Sequence, residues 1–317
     1  MPRSTLIRLL AIGALVLCFG VVVLGAYVRL SAAGLGCPDW PGCYGHITPT
    51  GALEGAQGAA NTGIDLGKAW KEMIHRYAAA TLGLLIFVIA ALAIQTRPAR
   101  AVSLPNALTL GGLVMMQGIL GMLTVTERLA PVIVTAHLLL GLTTLSVLWW
   151  MVLTMGRRQS SAWRGSTAYL GSSLPRTRHL AWLGLVVLAL QIALGGWTSS
   201  HYAATACPDF PTCQGQWWPS MTGLVAIHFA HRLGAMVATI ALILVSVRVL
   251  KSRSDPFAQR AALAVLIALP LQLLIGVAMV MKGFPLWLAT MHNAGAAAVL
   301  LAVVALNCSL RPAWQAP

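Results

Sequence analysis

Glu72-Met73-Ile74-His75-Arg76 places a carboxylate, an imidazole and a guanidinium at the start of a long apolar run. Side chains three and four residues apart share a helix face, so Glu72 and His75 project from one side. The pattern returns as His228-Phe229-Ala230-His231-Arg232, again opening an apolar run. His137 and His292 stand near the starts of two further apolar runs. An ionisable group within a membrane segment is expensive, and by default it marks function. These four histidines decide how the surrounding chain is read.

Of 317 residues, 58% are hydrophobic and 9% charged, and the mean hydropathy is +0.80. Soluble proteins average about a quarter charged residues, so the chain is a polytopic membrane protein. Spanning a bilayer takes about 20 apolar residues, and eight windows are long enough: 7–28, 73–95, 104–126, 132–154, 179–199, 224–248, 259–281 and 286–308. Arg3 and Arg8 precede the first window, which exceeds the roughly 7–15-residue core of a cleaved signal and reads as an uncleaved span. The net charge of +14 is organised by side rather than gathered for nucleic acid. With the N-terminus cytoplasmic, 14 of the 21 Lys and Arg fall in inner segments, five in outer segments, and Arg76 and Arg232 within spans. The expectation is a multi-pass inner (plasma) membrane protein with both termini in the cytoplasm.

The chain is internally duplicated. Cys37-Pro38-Asp39-Trp40-Pro41-Gly42-Cys43 in the first outer loop is matched by Cys207-Pro208-Asp209-Phe210-Pro211-Thr212-Cys213 in the third. Gln117 and Gly121 lie 20 and 16 residues before His137, and Gln272 and Gly276 keep the same distances before His292. An all-α fold follows: two tandem four-helix bundles, each with an even number of spans, related by an axis along the membrane normal. The expected boundaries are 1–155 for the first half, 156–178 for a cytoplasmic linker and 179–317 for the second half. Both cysteine pairs face the periplasmic or extracellular side, where structural disulfides can form. Redox-active thiols and a metal site are the competing readings; the first normally uses CxxC spacing, and the second needs more ligands than either loop offers. Cys18 and Cys308 sit in apolar runs and read as packing residues.

All four histidines lie near the outer ends of spans that run inward. Pairs of inward imidazoles on neighbouring helices make a bis-histidine site, and haem is the guest such a site suits, with His75, His137, His231 and His292 as iron ligands. Arg76 and Arg232 are placed to contact anionic propionates, with snorkelling as the alternative. Glu72 is matched by His228 in the second half. Both can exchange protons, but only the carboxylate supplies a fixed negative charge. The first half is therefore expected to hold the reacting haem and the second an electron-transfer haem; pairing of Glu72 with Lys71 or Arg76 is the simpler reading. His46, His179 and His201 read as solvated, and Gly195-Gly196 and Gly111-Gly112 as small-residue packing or close haem approach.

Glu72-Met-Ile-His75-Arg76, the Cys37 to Cys43 loop, Gln191-Ile-Ala-Leu-Gly195-Gly196, His231-Arg232, His137 and His292 together resemble the haem A synthase family, over roughly residues 7–308. The resemblance implies oxidation of the C8 methyl of haem O to a formyl group, giving haem A for terminal oxidases. It implies His75 and His137 flanking the substrate haem, His231 and His292 ligating a haem b cofactor, and Glu72 as catalytic carboxylate. It also implies the disulfides Cys37–Cys43 and Cys207–Cys213, haem O synthase as donor of the substrate, and an electron acceptor that the sequence does not name. A homo-oligomer in membrane lipid is compatible, and nucleic acid is not a partner. His228 lies outside the family's motif. A non-catalytic dihaem b-type cytochrome between quinol and a periplasmic partner explains four histidines equally, but not why Glu72 occurs in one half only. A transporter lacks the expected broken helices, and a thiol oxidoreductase ranks last.

Overall fold

A computed structural model describes residues 3–51, 64–95, 104–159, 174–252 and 255–311. Among these, eight helices are long and apolar enough to cross a membrane. They are α1 (Arg3–Leu30), α2 (Leu66–Gln95), α3 (Leu104–Thr126), α4 (Pro131–Gln159), α5 (Leu174–Ser200), α6 (Gly223–Lys251), α7 (Pro256–Met281) and α8 (Leu286–Ser309). Each coincides with an expected span and most run past it, because hydropathy marks only the apolar part of a helix. The largest extension is at α2, which begins seven residues before its window. Asp65 caps it there, accepting from the Lys68 backbone N–H at 3.0 Å. Glu72 and His75 therefore sit within the helix rather than at its first residue. Arg97, Arg100, Arg164 and Arg253, four of the charges that orient the chain, lie outside the described residues, as does most of the expected 156–178 linker.

The described residues fall into two compact units that divide inside α4, one ending at Leu145 and the other beginning at Ser146. In the first, α2 packs on α1 and α3. In the second, α5 pairs with α6, α6 with α7, and α8 with both α5 and α7. Within the second unit, Asn307 Nδ2 donates to the Ala181 backbone oxygen at 3.1 Å, and Trp149 Nε1 donates to that of Leu301 at 2.9 Å. Such bonds satisfy polar groups that no water reaches in a bilayer. Cys18 and Cys308 are buried and lie outside any disulfide, as packing residues should.

The duplication extends to the turns. Both α3 and α7 end in a Schellman arrangement, with Leu129 N–H donating back to Thr124 O and Phe284 N–H to Met279 O, each at 2.8 Å. Two successive left-handed residues make each turn, Arg128 and Leu129 in one and Gly283 and Phe284 in the other. A proline then opens the following stretch, as Pro131 at the head of α4 and Pro285 just before α8.

Candidate functional site

Each cysteine loop is organised by its aspartate. Asp39 Oδ1 accepts from Tyr44 N–H at 2.6 Å and Oδ2 from Gly45 N–H at 2.8 Å. Asp209 does the same for Gln214 at 2.6 Å and Gly215 at 2.9 Å, and also accepts from the Thr212 hydroxyl. The turn residues need positive φ: Tyr44 at 54° and Gly45 at 78°, Gln214 at 55° and Gly215 at 75°. That is the geometry of a two-residue hairpin turn, for which glycine at the second position is suited. Two backbone bonds close each hairpin, between Cys43 and His46 and between Cys213 and Gln216. Cys37 and Cys43 lie at disulfide distance, as do Cys207 and Cys213. The hydroxyl of Thr212 and the amides of Gly215 and Gln214 hold the Asp209 carboxyl at about 2, below the usual carboxylate range.

Both loops are seated on the helix that carries the first histidine of the half. Cys37 and Cys43 pack with Ala69 and Met73 of α2, and Cys207 and Cys213 with Phe229 of α6. The arginines lock them in place. Arg76 Nη1 donates to the backbone oxygens of Asp39 at 2.9 Å, Pro41 at 3.2 Å and Gly42. Arg232 donates to those of Thr212 at 2.7 Å and of Cys207 and Asp209 at 2.9 Å each. Sequence reasoning assigned these guanidiniums to propionates and missed the clamp. Its only sequence sign is that each His-Arg pair follows a Cys-Pro-Asp loop.

Glu72 is 4% exposed. Its Oε1 pairs with Arg76 Nη2 at 2.6 Å and its Oε2 accepts from Cys37 N–H at 2.9 Å. The simple pairing with Arg76 is thus present, and it orients the carboxylate rather than leaving it to swing. His228, at 5% exposure, takes a bond from Arg232 Nε at 3.3 Å in the equivalent position.

The four ligand candidates share a contact that the sequence had not disclosed. Each imidazole faces a glycine on the preceding helix. A methyl group on Gly25 would stand 2.8 Å from His75 Cε1; on Gly195, 3.0 Å from His231 Cε1; on Gly276, 2.9 Å from His292 Cε1; and on Gly121, 3.4 Å from His137 Cε1. Glycine is therefore what lets each ring lie close to the neighbouring backbone. His75 and His137 belong to the first compact unit and His231 and His292 to the second. Among the described residues, no three His, Cys, Asp or Glu side chains form a metal cluster. His75 Nδ1 and His137 Nδ1 are buried without a partner, which fits an iron ligand set, and so is His228 Nδ1, outside that set. His201 Nδ1 is taken up by the Trp197 backbone oxygen at 3.0 Å, and Gly111 meets only Phe87.

The family profile described as cytochrome oxidase assembly protein (COX15-CtaA) matches residues 8–304. A heme A synthase of Shewanella oneidensis is 40% identical, in an alignment covering 90% of this chain and 91% of that protein. Heme A synthases of Paracoccus denitrificans and Halalkalibacterium halodurans are 26% and 27% identical over 94% and 86% of this chain, and over 86% of each of those proteins.

Proposed function

Because this chain belongs to the COX15-CtaA cytochrome oxidase assembly family, we infer that it is an integral membrane haem A synthase, an oxidoreductase that converts the C8 methyl of haem O to the formyl group of haem A. Within that reading, His75 and His137 flank the substrate haem and His231 and His292 hold a haem b. The observation that supports it is the repeated His-on-Gly contact, two in each half, which seats each imidazole close against the neighbouring helix. Haem b, when bound, supplies a reversible one-electron site between the substrate and an external acceptor.

The protein's own contribution is positioning and charge. Methyl-to-formyl oxidation releases protons, and Glu72 is the carboxylate placed to accept one, one turn from His75. Its bonds to Arg76 and Cys37 N–H hold it in one orientation. A guanidinium has five N–H groups, so Arg76 and Arg232 keep capacity for a propionate beside their loop partners. Haem O synthase as donor, both termini in the cytoplasm and the cysteine loops outside complete the proposal.

The test is to purify the protein in mild detergent, extract its haems and separate them by chromatography, beside a reduced-minus-oxidised spectrum. Haem b together with haem O, haem A or a hydroxylated intermediate is the expected result. Haem b alone, from cells supplied with haem O, overturns the substrate site. His231→Ala is expected to lose the haem b spectrum; retention of that spectrum overturns the ligand pairing.

A further inference from the structure

Three of the four histidines have a second contact, and the fourth does not. Gln117 Nε2 donates to the His137 backbone oxygen at 3.0 Å and lies 3.4 Å from ring Nε2. Gln191 Nε2 is 2.9 Å from the His231 backbone oxygen and 3.0 Å from ring Nδ1. Gln272 Nε2 is 2.9 Å from the His292 backbone oxygen and 3.2 Å from ring Nδ1. Each glutamine stands four residues before the glycine that faces the same ring. One carboxamide thus ties the imidazole to its own helix backbone, which opposes rotation of the ring. A glycine on the histidine's helix makes the room. A methyl on Gly141, Gly234 or Gly295 would come within 3.2, 2.3 or 2.1 Å of the glutamine head group.

His75 departs at both points. Gly25 faces its ring, but Val21 stands four residues before Gly25, and Ala78 occupies the place that Gly234 takes after His231. Its Nδ1, like that of His137, is buried with no hydrogen-bond partner among the described residues, but unlike His137 it has no glutamine beside it.

We propose that Gln117, Gln191 and Gln272 are positioning residues that fix the imidazole planes of His137, His231 and His292, and that His75 is the ligand free to turn or release. The inference rests on the ligand assignment above. Groups behind a metal ligand set its orientation and strength. A haem that stays is then held by two fixed imidazoles, which suits electron transfer with little rearrangement. A haem that must enter as substrate and leave as product is held by one fixed imidazole and one loose one.

The EPR spectrum of a low-spin ferric haem depends on the angle between its two imidazole planes, so it reports on ring orientation directly. In holoenzyme carrying both haems, cyanide is expected to displace a ligand at the substrate haem and leave haem b untouched. Gln272→Met and Gln191→Met preserve bulk without a hydrogen-bond donor. Each is expected to retain haem b, shift its EPR signal and midpoint potential, and open it to cyanide. Val21→Gln with Ala78→Gly supplies the missing device and is expected to weaken cyanide binding at the substrate haem about 10- to 100-fold. Haem b with an unchanged EPR signal in both methionine variants overturns the proposal, as does unchanged cyanide affinity in the double variant. If the methionine variants lose haem b, the double variant decides. Absence of haem b from the unmodified protein would instead overturn the ligand assignment itself.

Discussion

Glu72 and His228 occupy equivalent places one turn before a proposed ligand histidine, and both take a hydrogen bond from the arginine four residues on. Only the carboxylate also reaches Cys37 N–H. Substitution at Glu72 therefore has two separable effects. Glu72→Gln keeps an acceptor for Cys37 and loses the charge; haem A formation, followed by chromatography of extracted haems, is expected to fall about 10²–10⁴-fold with haem b retained. Wild-type output in that variant would take Glu72 out of the reaction. Glu72→Ala also strands the Cys37 and Arg76 donors, and a buried unsatisfied donor costs about 1–3 kcal/mol. A lower Tm than that of the glutamine variant is the expected sign. The sequence singled out these side chains, because carboxylate and imidazole are rare in apolar runs and their spacing fixes a shared face. It did not disclose the arginine's partners. These are backbone carbonyls, which no residue type marks.

At the scale of elements, each cysteine loop is a small hairpin held from inside by an aspartate and from below by an arginine. The Asp209 carboxyl titrates at about 2 when folded, below its ordinary value of 3.8. A depressed folded value means that its contribution to loop stability is complete above the ordinary value and is lost as pH falls through about 2. The Cys207–Cys213 loop is thus expected to loosen between about pH 4 and pH 2, and Asp209→Asn to loosen it at neutral pH. Faster reduction of Cys207–Cys213 by a fixed dose of reductant checks both. Arg232→Ala leaves three carbonyls without their donor and is expected to do likewise, at about 1–3 kcal/mol; a reduction rate equal to wild type would discount the clamp. Spans were legible because hydropathy alone defines them. The glutamine–histidine ties were visible only as a repeated interval, since Gln117 and Gln272 carry no sign of which ring they face until helices are packed.

For the whole molecule, the eight spans and the family follow from pattern, and the duplication from matching intervals. The sidedness is carried by the distribution of Lys and Arg. Reporter fusions after Gln95 and after Lys251 are expected to be active only in the cytoplasm, and fusions in either cysteine loop only outside. What sequence could not supply is which helices touch, because within a bilayer an apolar face signals lipid and neighbour alike. The cysteines carry a practical consequence of their placement. Two are buried outside any disulfide and four are closed in loops, so the folded oxidised protein offers no thiol to an impermeant maleimide. Mild reduction creates up to four, two per loop. The chain therefore carries built-in reporters, silent until a loop opens, with which loop opening can be timed during turnover without a single substitution.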